Sequence, residues 1–493
     1  MTPKRKPKPK KLVLAVIDAL KPEMLDRAIE HGRAPVLAKL IEQGLYVRDC
    51  VSTFPSVTPV AASTIATGVG PDEHHIPAMN WYHRGEDRYV EYGSSFEAGR
   101  TFGVVRSLQD LVYNMNLAHL SRARRTVFEH LADGGLRSAC TTYLIYRGRT
   151  RHLASSDSMY SRLARAAQFR HAVWGPDELF YADLFASRRT DCRSTLGLPG
   201  QRDQHSGCVG AHLVENDLFD FLLLSLPDND TYSHKRGPFA QVTSIASADR
   251  ALERITHAAG GTNAFLEDHA VIVMSDHSQI AVESRLNMAD ALEPWDVLGP
   301  GGDPSAAEIA VCPSQRSAQV YVIDPSARRR LVPRLVRDLR KVDGLDVIAW
   351  MPRRKEAAVA TSRGELRFAP GGDLIDARGA TWSVDGALEA LELSVEDGRV
   401  TSRAYPLALG RLWSALHCPL GGDVLVSAGG GVEFVDWGGI AHVGGGSHGS
   451  LSRGDSLGAL IACGIDEPAN GYPDQWTIAD VIPLVLRHFT LPS

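Results

Sequence analysis

The chain has 493 residues, of which 44% are hydrophobic and 23% are charged, with 45 Gly and 27 Pro. This length and composition exclude a small disulfide-rich scaffold, a collagen-like chain and a mostly disordered protein, and they allow either two domains or one large domain with an insertion. A formal net charge of −5 gives the whole molecule no basic field that would draw it onto nucleic acid or anionic lipid.

The opening segment 1–11 differs from the rest because its basic residues alternate with prolines. Proline removes backbone donors and favours extended conformations, so we expect this basic arm to be disordered. It could contact an anionic surface or serve only as a solubilising tail. It is not predicted to be a secretory signal, because Asp18 interrupts the apolar run that follows and no small-residue cleavage site is found. No apolar stretch predicts a transmembrane helix.

The seven cysteines are odd in number, scattered and without close pairs. This pattern argues against a disulfide framework and against a thiolate zinc site. A reducing compartment is the default for such a chain, so we expect a cytoplasmic protein. The sequence leaves the oligomeric state open.

Short apolar runs typical of buried parallel strands recur along the chain, at LVLAVI (12–17), DFLLLSL (220–226), AVIVMS (270–275) and GALIAC (458–463). Helical patterns lie between and after them, at 34–45, 244–261 and 477–489. This alternation predicts an α/β fold with a mostly parallel central sheet and helices on both faces.

The pattern changes between 301 and 430. Shorter strand-like runs occur there, at 319–324, 345–350 and 365–370, together with a strongly basic helical pattern at 327–342. We predict a smaller α+β cap inserted at 301–430. The core would then consist of 12–300 and 431–493.

Polar residues follow three of the predicted strands, where ligands gather in open α/β sheets. Asp18 follows the first strand, and Asp276 and His277 follow the strand at 270–275. Asp230 and His234 follow the strand at 220–226 and would share one face of a helical turn. Each residue alone is explained as a cap or turn residue. Together they predict a hydrolytic site for zinc, manganese or iron, since carboxylate and imidazole ligands suit such sites.

Two further segments carry candidate residues. Thr58 precedes Pro59 in STFPSVTPVAASTIATG (52–68), which predicts a helix that begins near Thr58 and ends at Gly68. Thr58 is a natural N-cap, and its hydroxyl would also lie where a helix N-terminus favours a phosphate. His448 lies in the glycine-rich segment HVGGGSHG (442–449), where the backbone can approach a ligand closely, whereas His442 is expected to be an ordinary packed histidine.

Five motifs, in this order, resemble the alkaline phosphatase superfamily, in particular its type I phosphodiesterase and nucleotide pyrophosphatase branch. They are Asp18, TPVAASTIATG with Thr58, PDNDTYSHKRGP (227–238), SDH (275–277) and GGSHG (445–449). The resemblance covers about 12–290 and 430–493. It implies an alkaline-phosphatase-like fold and two divalent metal ions, usually zinc, with manganese and other divalent ions in relatives. Carried over by motif, one metal is held by Asp230, His234 and His448, and the other by Asp18, Thr58, Asp276 and His277.

The resemblance also implies that Thr58 is the nucleophile and forms a phosphothreonine intermediate, with a phosphodiester or a nucleotide-like small molecule as substrate. The segment TGVGPDEHHIPAMNWY (67–82) is similar to the family segment in which an asparagine contacts a phosphoryl oxygen, so Asn80 is the candidate for that contact. This segment departs from the family pattern, because Asn80 comes one residue late and His75 replaces a usual glycine.

Other readings stay open. Sulfatases of the superfamily use a cysteine or serine two residues before a proline, with an arginine two residues after it. Here Thr58 lies directly before Pro59 and Ala61 follows, so a sulfatase is disfavoured. Cofactor-independent phosphoglycerate mutases are disfavoured because they use a serine nucleophile. Phosphonoacetate hydrolases share the threonine, so a phosphonate hydrolase is an alternative, as is a phosphomonoesterase. A protein of another class, a non-catalytic metal-stabilised binding protein, would contain metal without turnover.

Overall fold

The structure of the protein is a computed structural model that describes residues 9–154, 171–181, 184–194, 198–468 and 471–492. Residues 1–8, which form most of the predicted basic arm, lie outside this range. The end of the arm as predicted is wrong, because Lys11 already begins the first strand of the central sheet and the Nζ of Lys10 donates a hydrogen bond to the carbonyl of Leu266.

Eight strands form the central sheet. In chain order they are β1 (Lys11–Ile17), β2 (Leu45–Val51), β3 (Ser138–Thr141), β4 (Glu178–Tyr181), β5 (Phe185–Ala186), β6 (Phe221–Leu226), β7 (His269–Met274) and β8 (Leu457–Cys463). They lie side by side in the order β2-β8-β7-β1-β6-β3-β4-β5. The four predicted strands are β1, β6, β7 and β8, each with bounds shifted by at most one residue.

The middle of this sheet is parallel. Strands β7, β1, β6, β3 and β4 pair in parallel with their neighbours, whereas β8, β2 and β5 add antiparallel pairs at the edges. The predicted α/β fold with a mostly parallel central sheet is confirmed.

Alternate residues of β1 enter two different hydrophobic cores. Leu12 and Leu14 pack into one core, and Val13 and Ala15 pack into the other. Both faces of the strand are therefore buried, which explains why its sequence is apolar throughout rather than alternating.

Helices cover both faces of the sheet. The face that holds Leu12 is covered mainly by the helices Thr58–Thr67, Val127–Asp133 and Val481–His488. The face that holds Val13 is covered by Pro22–Glu30, Pro35–Gln43, Arg202–Glu215, Val242–His257 and Thr262–Asp268. The predicted helix at 244–261 ends earlier, at His257, because Gly260 and Gly261 adopt positive φ angles.

A second sheet is formed by nine strands: Ile309–Ser314, Ser317–Val322, Leu345–Arg353, Glu356–Thr361, Gly364–Ile375, Thr381–Gly386, Leu393–Glu396, Arg399–Ser402 and Val424–Ala428. Their pairings are antiparallel, apart from that of Gly364–Ile375 with Arg399–Ser402. The helices Arg328–Leu339 and Ala408–Leu416 accompany this sheet. The sequence predicted three of these strands, at 319–324, 345–350 and 365–370, because the others are short or mixed in polarity.

Buried polar contacts join the second sheet to the central body. The guanidinium of Arg316 is fully buried and lies 2.9 Å from the carboxylate of Asp455, just before β8. Arg411 is also buried and donates hydrogen bonds to the carbonyls of Thr53 and Leu451. The second sheet is therefore packed on the body that carries the central sheet, while the domain limits at 301 and 430 stay a prediction.

The remaining described elements are small. Paired short strands are Asn80–His83 with Arg88–Glu91, Thr150–His152 with Val173–Gly175, Ile280–Ala281 with Gly446–Ser447, and Ser284–Leu286 with Val432–Phe434. Further α-helices are Pro71–His74, Phe96–Phe102, Val104–Gln109, Asp228–Arg236, Met288–Ala291 and Arg453–Ser456, and Asp110–His119 is a π-helix. Five 3₁₀ turns are Pro238–Ala240, Pro304–Ala306, Pro325–Ala327, Leu388–Leu391 and Ile478–Asp480.

The expectation that the cysteines form no disulfide is wrong for one pair. Cys192 and Cys208 are bonded, with their Cα atoms 5.7 Å apart. The two residues are 16 positions apart, so the sequence shows no close pair, and the helix Arg202–Glu215 brings Cys208 back to Cys192. Disulfides persist in oxidising compartments, so this bond counts against the cytoplasmic location, which stays a prediction. Within the described parts of the chain, no helix is long and apolar enough to cross a membrane.

Candidate metal centre

Three neighbouring strands deliver the candidate ligands to one edge of the central sheet. Asp18 follows β1, Asp276 follows β7, and the helix Asp228–Arg236 follows β6. Because β7, β1 and β6 are adjacent and parallel, their carboxyl ends meet. The turns are tied together as well: the side chain of Asn229 donates to the carbonyl of Asp18 (2.8 Å), and the carboxylate of Asp276 accepts from the backbone of Ala19 (3.2 Å).

One group of ligands is formed by Asp18, Asp276 and His277. The Nε2 of His277 lies 3.4 Å from Oδ1 of Asp18 and 3.4 Å from Oδ2 of Asp276. All three side chains are buried, and one ligand atom from each lies within 4.8 Å of the others. Three donors held this closely can surround one cation.

A second group adjoins the first. The carboxylate of Asp230 lies 3.3 Å from Nε2 of His234 and 3.5 Å from Nε2 of His448. The helix Asp228–Arg236 places Asp230 and His234 on one face, as their spacing predicts. Asp230, His277 and His448 again lie within 4.8 Å of one another, and the rings of His277 and His448 stack with centroids 3.6 Å apart. His277 therefore borders both groups.

The three histidines are oriented alike by the backbone. Their Nδ1 atoms lie at hydrogen-bond distance from carbonyl oxygens: His234 from Gly446 (2.8 Å), His448 from Ser56 (2.8 Å) and His277 from Ser278 (3.2 Å). An Nδ1–H that donates to a carbonyl leaves the Nε2 lone pair free to bind a metal ion. All three Nε2 atoms face the carboxylates.

Orphaned buried atoms show that this donor set fits a cation. The Oδ1 of Asp18 and the Nε2 of His448 are buried and have no hydrogen-bond partner among the residues that the structure describes. Burial, and then the negative charges of Asp276 and Asp230, hold the pKa of Asp18 well above its ordinary value. Carboxylates gathered in a dry site repel one another unless a positive charge lies between them. The residues present therefore fit divalent metal ions.

Charge balance differs at Asp230. Burial acts to raise the pKa of its carboxyl, but the imidazole of His234, together with those of His448 and His277, lowers it below the ordinary value. The pKa of His234 is correspondingly raised, because the attraction of Asp230 outweighs the burial of the ring. The pKa of His448 is held well below its ordinary value, first by burial and then by His277. The neutral ring of His448 is the form that binds a metal.

Thr58 is the first residue of the helix Thr58–Thr67, and its hydroxyl faces the metal centre. The Oγ1 lies 3.2 Å from Nε2 of His277. The predicted role of Thr58 as N-cap is wrong, because the cap position is Val57, whose side chain forms no capping hydrogen bond. The Thr58 hydroxyl is therefore not engaged in capping the helix backbone. Every other residue of the helix is buried, whereas Thr58 is partly exposed, and the helix ends at Gly68 as predicted.

The glycine-rich loop brings His448 to the site. A Cβ atom on Gly445 would lie 1.9 Å from the carbonyl oxygen of His234, so only glycine allows the loop to pass the helix Asp228–Arg236 this closely. Gly449 bridges to Ser56, just before Thr58. The loop thus fixes His448 against the two segments that carry the other ligands.

Asn80 has a different environment from the one the sequence predicts. Its side-chain nitrogen donates to the carbonyl of Val90 (3.1 Å) and to Oε2 of Glu91 (3.0 Å), and its backbone nitrogen donates to Ser314 (3.1 Å). Its amide donors are occupied within the hairpin Asn80–Glu91. The structure gives Asn80 no hydrogen bond to Thr58 or to any metal ligand in the described residues, so its phosphoryl contact stays a prediction.

Two glutamines near the ligands were not singled out from the sequence. Gln279 follows the SDH motif, and its Nε2 donates to Oδ1 of Asp230. Gln315 lies at the tip of the first hairpin of the second sheet, with Nε2 3.5 Å from Nε2 of His234. The position of Gln279 just after two ligands was a usable signal. The sequence around Gln315 carries no such signal, because the contact of Gln315 with His234 depends on how the second sheet packs.

The ring of His234 contacts His442, which is held in turn by a buried carboxylate. The ring of His442 packs against that of His234 in a tilted arrangement with centroids 4.1 Å apart, and its Nδ1 lies 2.8 Å from Oε1 of Glu433. Glu433 also accepts from Ser447, beside His448, at 2.7 Å. His442 is therefore more than the ordinary packed histidine that its apolar neighbours suggest.

The chain was compared with known proteins. The family model described as "Type I phosphodiesterase / nucleotide pyrophosphatase" matches residues 12–361. No curated protein matches significantly. Phosphonoacetate hydrolase from Sinorhizobium meliloti 1021, in complex with phosphonoformate, is similar with a TM-score of 0.58 and 17% identity over 99% of this chain and 98% of that one. Human ectonucleotide pyrophosphatase / phosphodiesterase 5 is similar with a TM-score of 0.56 and 11% identity over 98% and 96%. At these identities the solved structures show a shared fold.

Proposed function

Because the chain belongs to the type I phosphodiesterase / nucleotide pyrophosphatase family of the alkaline phosphatase superfamily, it is a phosphoester hydrolase, and we propose that it cleaves a small phosphodiester or nucleotide-like substrate with Thr58 as its nucleophile and two divalent metal ions. The observation that carries this proposal is the 3.2 Å separation between the Thr58 hydroxyl and Nε2 of His277, within a buried donor set that has orphaned oxygen and nitrogen atoms.

The proposed ligands divide into two sets, with His277 between them. One set is Asp230, His234 and His448, and the other is Asp18, Thr58, Asp276 and His277. Two divalent ions would supply Lewis-acid chemistry that lowers the pKa of a hydroxyl and offsets the negative charge of a phosphoryl group. Zinc is the usual metal of the family. The number and identity of the ions are part of the proposal.

The protein's own contribution is to hold the nucleophile in place. The Thr58 helix is packed on the central sheet, so its first hydroxyl is fixed relative to the ligands. The Oγ1 of Thr58 attacks phosphorus and loses its proton, the bond from phosphorus to the leaving oxygen breaks, and the leaving oxygen takes up a proton. The product is a phosphothreonine whose phosphorus still carries the ester group that did not leave. A water then attacks phosphorus from the vacated side, which breaks the bond to Oγ1, frees a phosphate monoester and restores the Thr58 hydroxyl.

A phosphonate hydrolase is the second candidate. Phosphonoacetate hydrolase has a fold similar to that of this chain over nearly its whole length, and the sequence motifs leave this alternative open. A phosphomonoesterase would need a further cation to meet the second charge of a monoester. Substrate preference therefore distinguishes a phosphodiesterase from a phosphonate hydrolase and from a phosphomonoesterase.

The test is a kinetic comparison of the purified full chain on matched aryl phosphodiester, aryl phosphomonoester, phosphonate and nucleotide substrates, with metal analysis of the same preparation. We expect the highest kcat/KM on a diester or a nucleotide, and up to two divalent ions per chain. A preference for the monoester or the phosphonate would overturn the diesterase assignment. Bound metal without turnover of any substrate would instead favour the non-catalytic binding protein.

A further inference from the structure

A cleft of about 570 Å³ is lined by five arginines together with apolar side chains. The arginines come from three separate parts of the chain: Arg84 follows the strand Asn80–His83, Arg328 and Arg329 begin the helix Arg328–Leu339, and Arg353 ends the strand Leu345–Arg353, with Arg354 in the turn after it. No residue proposed as a metal ligand lines this cleft. The basic helical pattern at 327–342 thus gains a place in the fold that the hydrolytic site does not explain.

Two of the arginines are held in fixed positions by one carboxylate. Asp423 lies 2.7 Å from the guanidinium of Arg84 and 2.9 Å from that of Arg328. Arg84 also donates to the carbonyl of Gly421 and stacks over the ring of Tyr321, 4.7 Å from its centroid. A single negative charge can balance only one of the two guanidinium groups.

The other arginines increase this excess of positive charge. Arg353 is exposed and lies 3.7 Å from Glu356, a distance typical of a weak surface pair. Arg329 and Arg354 are exposed and form no ion pair with any residue that the structure describes. With five arginines and one aspartate among its lining residues, the cleft carries a net charge of +4 before any ligand binds.

One wall of the cleft is apolar. It is formed by Val332 and Pro333 of the basic helix, Trp350 and Leu416, with Pro419 beside them. Arginine forks bind phosphate in a bidentate manner, and an apolar wall favours contact with a flat or hydrophobic group. The volume is within the range of sites for small organic ligands.

We propose that this cleft binds an organic polyphosphate, with two or more phosphoryl groups on the arginines and the organic group on the apolar wall. The exposed arginines Arg329 and Arg354 complete the contact, while Arg84 and Arg328 are already positioned by Asp423. Because the cleft shares no lining residue with the metal centre, this binding does not depend on the proposed hydrolysis.

Titration calorimetry on the full chain tests the proposal, with Thr58→Ala as background so that a probe is not consumed at the metal centre. The probes are adenosine triphosphate and inorganic tripolyphosphate. The test variant adds Arg329→Ala and Arg354→Ala, and the matched control adds Arg330→Ala and Lys355→Ala, which remove the same charge from neighbouring exposed residues that do not line the cleft.

We expect the test variant to bind adenosine triphosphate at the cleft roughly tenfold to a hundredfold more weakly than the background, and the control to bind within about twofold of it. Binding should also weaken steeply as salt rises. Tripolyphosphate should bind more weakly than adenosine triphosphate, because it does not use the apolar wall. A variant Arg329→Lys, Arg354→Lys should recover only part of the affinity, since lysine keeps the charge and loses the fork.

Three results would overturn the proposal. Equal affinity in the test and control variants would show that only overall charge matters. A single binding event that persists in the test variant would place all binding at the metal centre. Binding of single-stranded oligonucleotide with higher affinity than adenosine triphosphate, lost in the test variant, would identify the cleft as part of a nucleic-acid surface instead.

Discussion

The hydroxyl oxygen of Thr58 lies 3.2 Å from Nε2 of His277, although the two residues are 219 positions apart in the chain. The contact joins the start of a buried helix to the end of β7. It is the point where the proposed nucleophile meets the proposed ligands, so it gives the first prediction.

Replacing Thr58 with alanine should abolish hydrolysis while the fold and the metal content survive. The substitution removes the hydroxyl and one methyl group at the first residue of the helix and adds no atom. We expect kcat to fall by roughly 10³-fold or more, and mass spectrometry of quenched wild type to find on Thr58 a phosphoryl group with the retained part of the substrate, which is absent from the variant. Thr58→Ser should retain measurable activity because it keeps a hydroxyl. Unchanged turnover by Thr58→Ala would refute the mechanism.

The metal centre predicts an unusual response to Asp276→Asn. With metal removed by a chelator, Asp18 and Asp276 face each other in a buried site, and the pKa of each carboxyl is raised, first by burial. The amide keeps the oxygen that accepts from Ala19 and His277 but removes one negative charge. The variant should therefore lose activity and bound metal and yet, in the chelated state, be more stable than chelated wild type by about 1 kcal/mol or more.

Thermal unfolding with and without the chelator, alongside metal analysis, measures both effects. A chelated variant that is less stable than chelated wild type would show that the carboxylates do not repel each other in the metal-free protein. Asp343→Asn, at an exposed carboxylate far along the chain, is the matched control and should change neither metal content nor stability.

The sequence predicted the parts of the site that short segments encode. Strands β1, β6, β7 and β8 are apolar on both faces, so the sequence shows them as continuous apolar runs. The polar residues Asp18 and Asp276 come just after two of these runs. The structure brings Asp18 and Asp276 together because β7, β1 and β6 are adjacent and parallel, as the order of the motifs implied.

The parts that the sequence did not predict depend on contacts between distant segments. Gln315 reaches His234 because a hairpin of the second sheet packs beside the glycine-rich loop, and Phe434 donates to its carbonyl. The last two strands at one side of the sheet, β4 and β5, are too short to give a periodic pattern. Asn80 was assigned by likeness to a motif, and its hydrogen bonds to Val90 and Glu91 show an environment that the motif does not encode.

Gln315 is predicted to affect substrate use rather than metal binding. Its backbone has a φ of 60°, its side chain is buried, and Oε1 has no partner among the described residues, so the amide is available to a ligand beside His234. Gln315→Ala should raise KM several-fold with metal content unchanged. Gln315→Asn should have the same kinetic defect, because its amide is shorter, but should be more stable than Gln315→Ala, since asparagine tolerates positive φ better. Normal kinetics in both variants would show that the amide has no part in turnover.

The buried ion pair of Arg316 and Asp455 should be costly to break. Both side chains are fully buried and 2.9 Å apart, and Arg316 also donates to the carbonyls of Val432 and Gly429. Arg316→Met leaves Asp455 charged and unpaired, so we expect a loss of about 3–5 kcal/mol in the free energy of unfolding. The partly exposed pair of Arg334 and Glu308 is the control, and Arg334→Met should cost about 1 kcal/mol or less in charge interaction. Chemical denaturation of both variants makes the comparison, and equal costs would contradict the role assigned to burial.

Asp203 gives a prediction in which pH decides the outcome. Burial, and then the charge of Asp228, raise the pKa of its carboxyl from an ordinary value of 3.8 to about 7, although the backbone of Asp228 donates to its Oδ1. Between these two values the folded protein binds a proton that the unfolded chain has released, so stability falls as pH rises through this window. The loss is complete above pH 7, because the carboxylate is then charged and buried in the folded state.

The substitution Asp203→Asn should remove this pH-dependent loss of stability. The amide keeps the acceptor for Asp228 and places its nitrogen at the position of the buried Oδ2, which has no hydrogen-bond partner in the described part of the chain. We expect the variant to be more stable than wild type at pH 8, and the gain to be smaller at pH 5, by about 1.4 kcal/mol for each pH unit within the window. Denaturant unfolding of both proteins at the two pH values measures the difference, and other titrating groups cancel in the comparison because both proteins contain them. An equal gain at pH 5 and pH 8 would mean that Asp203 is not the group that titrates in this range.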